Sequence, residues 1–273
     1  MSESPERDLS KVETGVDHNH EQQLRNVLTN TMSLSPELFE RLYLSQQTRV
    51  SGELRRTFAN PTPLGVLGFA VALFPLSIEL MGWRSSGGAD GSQTTTCSLF
   101  FGGALLWLAG AGEFLLGNTF PTIVFFTYGA HYFTYATTFV PGYGAIAYSS
   151  GGDAFKPTAL FASGFGFYTL AMALLSFLFM LGALRINVVF VVVFFCATIG
   201  FGFATAANWH AALGATAISE TCLVGAGAVF FVADLAGWYL GFAQIFAIME
   251  LPLPDIPVGD LSTRIKPKNR KTA

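Results

Sequence analysis

Polar and apolar positions divide this chain into three zones. Residues 1–57 are mostly polar, residues 58–250 are apolar with short Gly-, Pro- and Ser-containing breaks, and residues 251–273 are polar again. In the middle zone the apolar runs are about twenty residues long, enough for a helix to cross the hydrocarbon of a bilayer. They predict spans near 64–83, 97–116, 120–140, 159–184, 187–207 and 223–248. The expected fold is all-α: a polytopic membrane protein, a six-transmembrane-helix bundle embedded in a lipid bilayer, flanked by two tails. The stretch from Asn208 to Cys222 reads as loop with a helical turn, because Gly, Thr and Ser interrupt the apolar run.

Composition supports the pattern. The chain is 51% hydrophobic and only 12% charged, about half the charge of an ordinary soluble domain. A net charge of −3, with no basic stripe, gives no sign of nucleic-acid binding. Cys97, Cys196 and Cys222 lie in or beside apolar segments without metal-like spacing. No apolar signal core precedes Arg56, so the first span would itself direct insertion. Residues 1–33 have a disordered composition, and His18 and His20 within them read as solvated. Ser35-Pro36-Glu37 followed by Leu38, Phe39 and Leu42 predicts a short amphipathic helix on the membrane surface or the bundle.

Orientation follows from charge. Six spans put both termini on one side, and that side holds thirteen of the fifteen Lys and Arg residues; only Arg84 and Lys156 lie opposite. Arg49, Arg55, Arg56 and Arg185 lie closest to the membrane, so both termini are expected to be cytoplasmic. Glycines recur inside the spans, for example Gly102-Gly103 and Gly200 with Gly202, and predict close helix packing.

Candidate chemistry is sparse. There is no metal-binding His-Glu-x-x-His, no paired carboxylate arrangement, no nucleophile elbow and no phosphate loop, so neither an enzyme nor a cofactor is expected. The door into the membrane is Asn60-Pro61-Thr62-Pro63-Leu64-Gly65, where Pro63 suits a first helical position and each Pro pushes its predecessor towards extended geometry. Asn60 and Thr62 flank that helix start, where unpaired N–H groups and the helix dipole favour an anion. Glu113 precedes a break at Gly117-Asn118-Thr119-Phe120-Pro121. A helix starting near Thr119 would offer a second anion spot, with Asn118 and Thr119 beside it; equally, Glu113 could cap those N–H groups itself. Glu79 is expected to reach the interface. His131 and Asp234 are intramembrane oddities, and Asp234 reads either as a proton carrier or as an acceptor for hydroxyls on another helix.

Asn60-Pro61-x-Pro63-Leu64-Gly65-x-x-x-Phe69 resembles the signature of the acetate uptake transporter (succinate–acetate permease) family. Glu113, Gly117-Asn118-Thr119-Phe120, Tyr128-Gly129, Gly166-Phe167-Tyr168, Trp238-Tyr239 and the tail Pro257-Val258-Gly259-Asp260-Leu261-Ser262 follow in order, the last resembling fungal members. Pro121 stands where the family usually has glycine. The resemblance implies transport of acetate and related short monocarboxylates with a proton, across a fungal plasma membrane, by hexamers with one pore per protomer. It makes Glu113 and Asn118-Thr119 motif positions. It also implies a pore constriction at Phe69 and Tyr128, whose third member falls at Ala197 when the fifth span is aligned on Asn208. Two other functions stay open: ammonia or ammonium export, and a membrane sensor or regulator without flux.

Overall fold

In the computed structural model of the protein, residues 58–262 and 264 are described. The expected surface helix near residues 35–42, the two tail histidines and the arginines before the door lie outside that range.

Six long helices follow one another: α1 (Thr62–Met81), α2 (Ser92–Leu115), α3 (Thr119–Thr138), α4 (Ala159–Ala183), α5 (Val188–Ala212) and α6 (Thr216–Ile248). All but α3 are apolar enough over their length to cross a membrane; His131, three tyrosines and several threonines lower the hydropathy of α3. The chain is an all-α bundle, as the hydrophobic pattern predicts.

Several boundaries have visible causes. Helix α1 starts at Thr62, so Thr62 is helical although Pro63 follows it, and the Asn60 side-chain oxygen accepts the Thr62 N–H at 3.1 Å. Pro75 lies inside α1 and cannot donate to the Val71 carbonyl. The Cys97 thiol of α2 supplies a donor to that carbonyl at 3.5 Å. Helix α2 contains a π-helical stretch, Ser98–Leu105, where Gly102 and Gly103 lie under the rings of Tyr132 and Phe133. A methyl group on either glycine would overlap those rings, so small residues set the close approach of α2 and α3.

The link between α5 and α6 departs from the sequence reading. Helix α5 runs on to Ala212 and α6 begins at Thr216, leaving residues 213–215 as the connection. Gly214, at φ +76, ends α5, with its own N–H on Ala211 and the Ala215 N–H on the His210 carbonyl. The polar residues taken for loop are helical: the buried Ser219 hydroxyl donates to the Ala207 carbonyl at 2.8 Å, tying α6 to α5. Glu79, expected at the interface, is buried beside the start of α2.

Neighbouring helices pack α3–α2–α1–α6–α5–α4 around a central space. Long side chains bridge the α3–α4 seam: Tyr128 to Ser176, His131 to Tyr168, and the Phe120 ring against Gly182. After α6 the chain folds back. The Val188 N–H donates to the Gly259 carbonyl at 2.9 Å, and the Leu261 N–H to Ile186 at 3.0 Å. The Tyr239 hydroxyl donates to the Pro257 carbonyl at 2.7 Å. This strap covers the α4–α5 turn and buries Val258.

Candidate functional site

The door and the α2–α3 break meet at one end of the bundle. Helix α2 closes on Gly117, at φ +77, with the Asn118 N–H on the Glu113 carbonyl at 2.9 Å and the Gly117 N–H on Phe114. That turn aims Asn118 back at Glu113: its amide donates to Oε2 at 2.6 Å. The Thr62 hydroxyl donates to Oε1 of the same carboxylate. Thr62 and Glu113 are fully buried and Asn118 nearly so. Glu113 therefore takes side-chain donors from α1 and from the α2–α3 turn, a third arrangement beside the two expected. Asn60 joins through the Thr62 backbone. Thr119, the first residue of α3, is exposed next to this knot.

A cavity of about 210 Å³ lies in the middle of the bundle, and all six helices line it. Phe69, Tyr128 and Ala197 are all on its wall. Tyr128 is held by the Ser176 hydroxyl at 2.8 Å, and the Phe69 ring occupies the space left by Gly237 of α6. The α5 ring that touches Tyr128 is Phe194, with centroids 6.0 Å apart; Ala197 sits one turn further along. A second void, of about 20 Å³, touches Thr62. Val124, Phe125, Phe190 and Phe194 line both, so these four side chains stand between the cavity and the Glu113 knot. Gly65 makes room for Phe125, since a Cβ there would come to 2.5 Å from its ring.

At the other end Asp90, in the loop after α1, is the only carboxylate among the described lining residues, and no Lys or Arg accompanies it. Asp90 is accessible at the mouth, but protein crowding around its carboxyl raises its pKa, and the charge of Glu220 adds to the rise. Its backbone carbonyl accepts the Tyr135 hydroxyl. Halfway between the ends, His131 faces the cavity with Nδ1 at 2.7 Å from the Tyr168 hydroxyl.

Asp234 is elsewhere. It is fully buried on the α1-facing side of α6, while Ala233 and Gly237 line the cavity. Neither carboxylate oxygen closes a hydrogen bond with a described residue; the Trp238 indole one turn on approaches without closing one.

The sequence reading missed Phe194 and the Tyr168–His131 pairing. Phe194 is one of 27 phenylalanines and carries no local mark. Tyr168 stands in a quoted motif, but its partner lies 37 residues away on another helix.

Comparison with known proteins places this arrangement. "Protein alcS" of Aspergillus fumigatus is 40% identical over 239 residues, covering 86% of this chain and 87% of that protein. "Ammonia transport outward protein 2" of Saccharomyces cerevisiae is 28% identical, over 69% of this chain and 62% of its own length. "Acetate transporter protein patA" of Penicillium expansum is 28% identical, over 77% of this chain and 82% of its own. The solved structure described as the bacterial acetate channel SatP superposes with a TM-score of 0.56 at 25% identity, covering 72% of this chain and 99% of that one. The sequence profile of the GPR1/FUN34/yaaH family matches residues 45–257. With profile, relatives and fold in agreement, this multi-pass membrane protein belongs to the GPR1/FUN34/yaaH family.

Proposed function

We propose that this chain carries acetate and related short monocarboxylates across a fungal plasma membrane, together with a proton. The observation that supports it most is the central cavity. At about 210 Å³ it is smaller than the roughly 300–1,000 Å³ typical of sites for drug-sized ligands. Its wall is predominantly aromatic and aliphatic, with no Lys or Arg among the described lining residues to trap an anion. Such a wall favours a small solute that crosses in neutral form, which is the argument for a companion proton. The names of the Penicillium relative and of the bacterial channel point the same way.

In this reading the solute meets the N–H ends of α1 and α3 near Asn60, Thr62 and Thr119, with Glu113 and Asn118 holding those two helix starts together. The narrow part of its route is formed by Phe69, Tyr128 and the α5 wall of Phe194 and Ala197. Both tails are cytoplasmic, residues 1–57 and 251–273, and the protomers assemble as hexamers.

The test is labelled-acetate uptake into proteoliposomes with and without an imposed inward proton gradient. Saturable uptake stimulated by the gradient is expected. Uptake indifferent to the gradient removes the proton, and no uptake removes the reading. The yeast relative named for ammonia export favours a second reading. Labelled methylammonium in the same vesicles separates the two.

A further inference from the structure

The cavity wall has one basic side chain among the described residues, His131. Its surroundings fix the ring. Tyr168 holds Nδ1 at 2.7 Å and lies nearly parallel to the imidazole, with centroids 5.8 Å apart and planes 24° apart. Phe201 meets it edge-on at 4.9 Å, and Tyr132 and Tyr135 flank it at 5.7 and 6.2 Å. The second ring nitrogen, Nε2, makes no hydrogen bond to a described residue. A half-buried imidazole, held at one nitrogen and unsatisfied at the other on the wall of an apolar void, is an arrangement for a ligand that supplies one polar contact.

We propose that His131, oriented by Tyr168, is the carboxyl-binding site of the central cavity. The proposal rests on the transport reading above and names where in that route the solute is held.

The chemistry suits both protonation states of a short monocarboxylic acid. When the Tyr168 hydroxyl donates to Nδ1, the ring proton is on Nε2, which donates to a carboxylate oxygen. When Nδ1 carries the proton and donates to the tyrosine oxygen, Nε2 accepts the O–H of the neutral acid. Either way the carboxyl makes one directed bond and the alkyl end meets the aromatic lining, Phe201 beside His131 and Phe69 on the same cavity. The other titratable groups facing this space among the described residues are Tyr128, Tyr132, Tyr135, Tyr168 and, at the mouth, Asp90. A single bond to a neutral ring holds a small acid weakly enough to release it. Tyr168 is a positioning residue: it fixes the tilt of the imidazole and, as both donor and acceptor, serves either tautomer.

The experiment reconstitutes the full chain in proteoliposomes and reads initial rates of labelled-acetate uptake against acetate concentration. His131→Phe keeps ring packing and removes the nitrogen, so its KM is expected to rise about tenfold, the loss of roughly one hydrogen bond. Tyr168→Phe keeps the ring and removes the hydroxyl, and a rise in KM of about threefold with maximal rate retained is expected. His131→Gln restores a polar end and should fall between wild type and His131→Phe. If His131→Phe does not fold, Tyr168→Phe and His131→Gln carry the comparison. Unchanged KM across the variants that fold overturns the proposal. Contact is read separately in histidine-15N-labelled protein, where acetate should shift the imidazole signal that disappears in His131→Gln. A wild type that shifts with acetate yet moves none keeps the site and removes the transport reading. A wild type that moves acetate without the shift keeps transport and removes the site.

Discussion

Two polar groups of this bundle receive opposite treatment. At the Glu113 knot, the carboxylate is fully buried and donors from α1 and the α2–α3 turn converge on it. At His131, on the cavity wall, the ring is held at one nitrogen and closes no hydrogen bond with a described residue at the other. In an apolar medium an unsatisfied polar group costs free energy, so a group whose bonds are closed by its own protein acts as a brace. One left half-satisfied at a cavity wall is available to a solute. Between them stand Val124, Phe125, Phe190 and Phe194, which offer no polar contact at all. On the proposed reading, the contrast separates residues that brace the bundle from residues that would meet a solute.

The largest effect should come from attacking the brace. Glu113→Ala leaves the Thr62 hydroxyl and the Asn118 amide buried without their acceptor, at about 1–3 kcal/mol for each donor. Membrane abundance and the thermal midpoint in detergent should fall sharply, with Glu113→Gln losing less because one oxygen remains. A Glu113→Ala protein that stays stable yet loses acetate uptake would make the knot a solute site and erase the contrast.

The aromatic barrier should respond in selectivity rather than in folding. Phe194→Ala joins the two voids, and the propionate-to-acetate uptake ratio should rise severalfold at equal membrane abundance. No change in that ratio would place the narrow point elsewhere. Ala197→Leu is the converse and smaller change. A side chain growing into the cavity should lower the same ratio with little loss of stability. A uniform loss of both acids, the mark of overpacking at about 1–3 kcal/mol, would instead set Ala197 against a neighbouring helix.

The smallest effect concerns the mouth. Folding raises the Asp90 pKa above its ordinary 3.8, first through the desolvation of its carboxyl by the surrounding protein and then through Glu220. The folded form therefore holds its proton more tightly, and stability falls as pH rises from 3.8 to the raised value, then stays level. Asp90→Asn should remove that slope in a series of thermal midpoints and leave the protein slightly more stable at neutral pH. An unaltered slope would assign the pH response to another group.

Much of the fold is legible without coordinates, for a plain reason. A helix in lipid must satisfy its backbone within itself, so length and hydropathy mark its path. The runs beginning near Leu64, Ala159 and Asn187 became α1, α4 and α5 within a few residues. The reading failed at Asn208 to Cys222 because a hydroxyl can return to a backbone carbonyl of its own helix, as Thr221 does to Ala217, or reach a neighbouring helix, as Ser219 does to Ala207. Ser219 is packed between helices, while Thr216, Glu220 and Thr221 are exposed yet helical, so polarity there marked neither a loop nor a break. The proline-rich door and the Gly117 turn were also readable, since proline and glycine act through their own backbone.

Only the tertiary structure decided the partnerships. Thr62 meets Glu113 across 51 residues, Tyr128 meets Ser176 across 48 and His131 meets Tyr168 across 37. Which faces of α3 and α4 turn towards each other depends on how all six helices close around the cavity, and no local spacing encodes that. The same holds for Phe194, which became the neighbour of Tyr128 through the rotation of α5 rather than through any feature of its own segment. Hydropathy fixed where the chain crosses the membrane because solvation acts residue by residue. Packing fixed which side chains face the central cavity, because contact is a property of the closed bundle.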